Sequence, residues 1–289
     1  MPIFKVLEGL SLTSFDTRRI YANKTRDVNP LTVYIDDLSG VIYIDDFYVG
    51  DSQYEEGNYN ELKSSEYIKL DYDREVDCRR RVNQHKKYIT DKKILDFGCG
   101  AGDFLKVAQK YASSVTGVEL QKNYMEHLNE NGINCFSDLS DIEDNSLDSI
   151  FLFHVLEHLP EPLEMLSILK SKLRDGGLLV AEVPHANDFL LSELDCDAFK
   201  EFTLWSQHLI LHTRNSLNAF FNNCDLHNIS IKGFQRYPIS NHLYWLRNKK
   251  PGGHKLALSV VDTDDLNRSY ESALSLIDSN DTLIAIGTK

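Results

Sequence analysis

"LDFGCGAGDF", Leu95 to Phe104, is the stretch on which the reading of this chain turns. With the preceding "KKI" it forms the short strand "KKILDFG", and it precedes residues of helical period. A strand therefore turns on Gly98, Gly100 and Gly102 into a helix whose first N–H groups face whatever docks there. Glu119 closes the next apolar run, "SVTGVEL", at the distance where an acid holds ribose hydroxyls in a dinucleotide-binding unit. The third position of the dinucleotide glycine pattern is Asp103 instead. A carboxylate at a helix start repels a pyrophosphate, so a ribose-bearing ligand without phosphates fits better.

Outward from this loop the chain alternates. "INCFS", "LDSIFLF" and "LLVAEVP" read as further strands, separated by the helical stretches "KNYMEHLNENG" and "EPLEMLSILKSKLRDGG". "SLNAFFNNCDL" predicts another helix, and "NISIKGF" and "DTLIAIGT" the last strands. The fold class is α/β, a doubly wound and mostly parallel seven-stranded sheet with ligands at its carboxyl edge. Residues 1–72 form a small β-rich segment, with "LTVYIDD" and "GVIYIDDFYV" as a hairpin. The aromatics of the acidic "YEEGNYNELKSSEYIKLDYD" are expected to pack against the domain at 73–289, with lining a pocket as the alternative, and 235–279 within that domain reads as an acceptor-side insertion.

Composition sets the outer limits. With 42% hydrophobic and 26% charged residues, the 289-residue chain reads as soluble and globular. A net charge of -13 without a basic stripe argues against nucleic acid. The five cysteines are scattered with no C-x-x-C pair, which suits reduced thiols in a cytoplasmic enzyme. No apolar run approaches membrane-spanning length, and the first residues lack a secretory pattern.

"HVLEH", His154 to His158, fits the H-x-x-E-H spacing of inverted zinc peptidases. That chemistry needs both histidines on one helix face. Pro160 and Pro162 follow at once and a strand precedes, so the segment reads as the loop after the fourth strand, and no metal is expected.

Taken together, "ILDFGCGAGDFL", "VTGVEL", "LDSIFLFHVLEHLPEP", "LKSKLRDGGLLVAEVP" and "SQHLILHTRNSLNAFF" resemble the class I S-adenosylmethionine-dependent methyltransferases over roughly residues 92–235. Within that class the layout resembles enzymes of bacterial surface-polysaccharide and nucleotide-sugar biosynthesis. The resemblance implies S-adenosyl-L-methionine as cofactor. It places Asp96, Gly98 and Gly100 at the methionine part, Glu119 with Leu120 at the ribose, Asp138 and Leu139 at adenine, and His154 and Val155 beside the sulfonium. A turn residue is the plainer reading of Asp138.

Methyl transfer to a hydroxyl needs an in-line acceptor and a base, and a histidine near neutral pKa suits the second task. His208, His158 and His185 are the candidates, although each equally suits loop packing. His208 stands where sugar methyltransferases carry a glutamate-histidine pair, with Gln207 in place of the glutamate. No cysteine precedes Cys78, so the zinc-binding prelude of sugar C-methyltransferases is absent and O-methylation of a nucleotide-linked sugar is expected. Tyr237, His242, Tyr244, Trp245 and His254 suit a sugar face or the insertion's own core. Arg79 to Arg81, or Arg236 with Lys249 and Lys250, suit a diphosphate. A lipid or other small-molecule acceptor, or a non-catalytic cofactor-binding module, are the alternatives, and a homo-oligomer is compatible with all of them.

Overall fold

The computed structural model describes residues 2–50 and 72–289, so most of the tyrosine-rich stretch lies outside the described residues. The chain opens with helix α1 (Ile3–Gly9) and strands β1 (Arg18–Ala22), β2 (Val33–Asp36) and β3 (Ile42–Ile44), which pair antiparallel. Helix α2 (Tyr72–Gln84) leads to β4 (Lys93–Phe97), α3 (Asp103–Ala108), β5 (Ser114–Val118), α4 (Lys122–Glu130) and β6 (Asn134–Phe136). Next come β7 (Leu147–Phe153), α5 (Pro162–Lys172) and β8 (Leu173–Pro184). The last part holds β9 (Ile210–Leu211), α6 (Arg214–Asn223), β10 (His227–Phe234), α7 (Ile239–Asn248), α8 (Asp264–Leu276) and β11 (Thr282–Thr288).

The expected seven-stranded sheet is present, in the order β10-β11-β8-β7-β4-β5-β6. Strands β4 to β8 run parallel within it, and β11 is antiparallel to both of its neighbours. Leu95, Phe151 and Val180 are fully buried because helices cover both faces. From β4 the chain winds one way through β5 and β6, then crosses back to β7 on the other side. The crevice of an open α/β sheet therefore falls at the carboxyl ends of β4 and β7. The sequence signals for stops operate where expected: Gly132, at φ +77°, follows α4, and Thr213 caps α6 through a reciprocal pair with Ser216.

Two features go beyond the sequence reading. Helix α1 buries Ile3, Phe4, Val6 and Leu7 in one cluster with Leu95, Leu152 and Leu179 of the large sheet. Strand β9 pairs with β3 as the fourth strand of the small sheet, so a segment that follows β8 completes the N-terminal element. In the insertion, Trp245 is buried against Leu190 and Cys196, the core role that had been one of its two readings. Among the described residues no helix is long and apolar enough to cross a membrane.

Candidate active site

A cavity of about 640 Å³ opens where β4, β5, β6 and β7 end. Gly98, Glu119, Leu120, Asp138, Leu139, His154 and Val155 all line it, so seven of the nine residues expected at the cofactor converge there. The other two, Asp96 and Gly100, do not line it. Asp96 is buried, and burial pushes its carboxyl up to about 8 against the pull of Arg81. The Gly100 amide donates to Glu119 Oε2 at 2.7 Å, while the Gln121 amide donates to Oε1 at 2.8 Å. Burial raises the Glu119 pKa although these amides favour the charged form. Two backbone donors thus fix the carboxylate's direction and leave lone pairs for a ligand.

Gly98 sits at φ +74°, and a Cβ built there would lie 2.6 Å from Val155 Cγ2. Only glycine lets the β4 loop approach the β7 loop this closely. Asp138 lines the cavity, and its Oδ1 accepts the Ser140 amide at 2.6 Å in a local turn, the plainer of its two readings. Asp103 meets Arg74 of α2 across 2.7 Å, so its charge is compensated inside the protein. The objection to a pyrophosphate is accordingly weaker in the fold than in the sequence.

The H-x-x-E-H segment is not a helix. His154 has φ +58°, and Leu156–His158 form a single 3₁₀ turn. His154 is flanked by two carboxylates, Glu157 at 3.3 Å from Nδ1 and Glu182 at 3.4 Å from Nε2. Burial draws its pKa down, but the two carboxylates outweigh burial and hold it above the ordinary value. Burial would raise Glu157, yet the His154 contact and nearby imidazoles take it down to about 2. Glu182 is held by Arg80 at 2.8 Å and Arg81 at 2.7 Å, and its pKa falls well below the usual carboxylate range against the effect of burial.

The three expected bases separate. His158 lines the cavity, and burial lowers its pKa. His208 lies behind it with ring centroids 5.0 Å apart, and burial takes its pKa down to about 3. His185, expected at the acceptor side, lies instead outside the cavity with Nδ1 facing the Asn280 carbonyl at 3.0 Å. The chain turns at the end of β8, and His185 pairs with His212 in an isolated bridge rather than facing the crevice.

The basic clusters also find internal work. Arg80 and Arg81 serve Glu182, exposed Arg79 pairs with Glu75, and Arg236 donates from Nε to Asp77 at 2.7 Å. Tyr237, His242, Tyr244, Trp245 and His254 are all absent from the cavity wall. Sequence reasoning missed Tyr48, Met165 and Trp205, which do line it. Only Trp205 carried a signal, standing three residues before His208 and immediately before the quoted stretch that begins at Ser206.

Residues 70–231 match the family model described as a methyltransferase domain. The match spans more than half of the chain, and the protein belongs to that family, with S-adenosylmethionine as the methyl donor of its class. Similar proteins include the ubiquinone biosynthesis O-methyltransferase of Actinobacillus pleuropneumoniae serotype 5b, 26% identical over 43% of this chain and 55% of that protein. The same-named protein of Vibrio vulnificus strain YJ016 is 28% identical over 42% of this chain and 52% of its own. The chain therefore spans about half the length of these curated relatives. A SAM dependent methyltransferase from Archaeoglobus fulgidus superposes with a TM-score of 0.53 at 19% identity, covering 74% of this chain and 94% of that one.

Proposed function

We propose that the protein methylates a hydroxyl of a small, uncharged acceptor. The observation that carries this reading is the charge of the cavity wall. Glu119, Asp138 and Glu161 line it, and among the described residues Lys172 is its one lysine or arginine, already paired with Asp144 at 2.7 Å. An acidic wall suits the cationic sulfonium of the donor and offers an acceptor's diphosphate no partner.

S-adenosylmethionine supplies an electrophilic methyl on a sulfonium. Glu119 accepts the ribose hydroxyls, Leu120, Asp138 and Leu139 flank adenine, and Gly98, His154 and Val155 shape the amino-acid end. Asp96 and Gly100 do not line this wall, and the Gly100 amide holds Glu119 in it. The acceptor enters beside Tyr48, Trp205 and Gln207, with its hydroxyl at His158 and the Glu157 and His208 side chains behind. A group taking the proton there contributes about 10²- to 10⁴-fold. O-methylation is also the activity named for the ubiquinone-biosynthesis relatives. A nucleotide-linked sugar of surface-polysaccharide synthesis keeps its hydroxyl chemistry in this reading but lacks a cationic site for its diphosphate. The small-molecule or lipid alternative gains by comparison.

Calorimetric titration with S-adenosylhomocysteine tests the cofactor half. Wild type should bind, and Glu119→Ala should bind at least about tenfold more weakly, because removing charged hydrogen-bond partners costs about 1.5–3 kcal/mol. A folded wild type that does not bind overturns the reading.

A further inference from the structure

Glu157 is fully buried, and neither carboxylate oxygen has a hydrogen-bond donor in good geometry among the described residues. Such a group is costly unless a positive partner supplies what the hydrogen bonds do not. His154 stands 3.3 Å from Glu157 but is shared with Glu182, which Arg80 and Arg81 also hold. One ligating atom each from Glu157, His158 and His208 lie within 4.8 Å of one another.

The arrangement is held from two segments. The Glu157 carbonyl accepts the Leu209 amide at 2.8 Å, tying the 3₁₀ turn to the strand beside His208. His208 Nδ1 lies 3.3 Å from the Thr203 carbonyl, a contact that places its proton on Nδ1 and leaves the Nε2 lone pair for a ligand. His158 Nε2 is 3.9 Å from Glu157 Oε1. Trp205 packs edge-on against both rings, at 5.7 Å from His158 and 5.3 Å from His208. One carboxylate and two imidazoles form a donor set suited to divalent transition ions, and His158 also borders the cavity.

We propose that Glu157, His158 and His208 bind a divalent transition-metal ion such as Zn²⁺, with an open coordination position facing the acceptor end of the cavity. Its use, though not its binding, rests on the methyltransferase reading. The acceptor hydroxyl takes the open position, and the ion's charge lowers the pKa of that hydroxyl. The O–H bond breaks with the proton passing to water. The oxygen keeps the electron pair, forms the new O–C bond, and the S–C bond breaks with its pair remaining on sulfur. In the ion-loaded protein the two histidines are ligands and take no proton.

The test uses the full chain stripped with a chelator. Co²⁺ is titrated while visible ligand-field absorption is followed, and Zn²⁺ is then added in competition. Wild type should bind a single equivalent that Zn²⁺ displaces, and Glu157→Gln and His208→Gln should each weaken binding at least about tenfold. Circular dichroism identifies folded variants, and His208→Gln at a half-buried position serves if Glu157→Gln does not fold. No Co²⁺ or Zn²⁺ binding by folded wild type, or undiminished affinity in a folded variant, overturns the site. Titrating the same samples with S-adenosylhomocysteine separates the two claims: cofactor binding without metal binding rejects the metal site alone, whereas metal binding without cofactor binding rejects the methyltransferase use alone.

Discussion

Gly98 and Gly102 distinguish a residue that shapes the site from one that holds the fold. Both have positive φ, and an added Cβ would meet Val155 at 2.6 Å in the first case and Leu128 at 2.4 Å in the second. Each substitution by alanine costs roughly 1–2 kcal/mol in backbone strain, before any packing shift. Gly98 and Val155 line the cavity, whereas Gly102 and Leu128 do not. Gly98→Ala should therefore lower both thermal stability and S-adenosylhomocysteine affinity, the latter about tenfold or more. Gly102→Ala should lower stability while leaving affinity near wild type at a temperature where it is folded. Thermal melts with calorimetry at one fixed temperature check this, and equal affinity losses would show that strain in the loop, not contact in the cavity, is what matters.

At the scale of elements, legibility followed the range of the interactions. The strand-turn-helix at Leu95 to Phe104 and the alternation after it were legible because each element carries its own period and stop signal. Glu119 was placed by the same logic, since it closes the next strand, whereas Asp138 was placed only by the family resemblance. What escaped was built by distant contacts. Nothing near Ile210 announces that β9 pairs with β3, and nothing in "HVLEH" announces that His208 comes to stand beside it. The arginine run read as a diphosphate site because the partner of Arg80 and Arg81, Glu182, is about a hundred residues away. Helix α1 was missed because it is short, and its burial is tertiary. That burial has a consequence for dissection of the chain. Removing residues 1–46 would strip β3 from β9 and uncover Leu209 and Ile210, both nearly inaccessible. The truncated protein should be insoluble or lose its cooperative melt. A soluble truncation with a sharp transition would instead mean that the α/β unit folds without the small sheet.

For the molecule as a whole, burial acts on acids and bases with opposite sign. It pushes Asp96 up to about 8, and it pushes His85, His185, His212 and His242 down to about 4. The histidines are neutral in the fold, while in the unfolded chain they take up protons near their ordinary pKa of about 6.5. Between about 6.5 and 4 the unfolded state therefore holds more protons on these sites, and their contribution to stability falls as pH falls. Asp96 works the other way, holding its proton in the fold over a range where the unfolded chain has released it, so the slope of the whole protein mixes both signs. A single substitution isolates one term. His212 is fully buried, with Nδ1 facing Ser216 Oγ at 3.0 Å and no hydrogen-bond partner for Nε2 among the described residues. His212→Gln removes the titration and keeps a polar side chain. Urea unfolding from pH 7.5 to 4 should show wild type and variant running parallel above about pH 7. Below about 6.5 wild type should lose up to roughly 1.4 kcal/mol per pH unit more than the variant. Curves that stay parallel down to pH 4 would mean that His212 keeps an ordinary pKa in the fold and that burial is not what sets its charge.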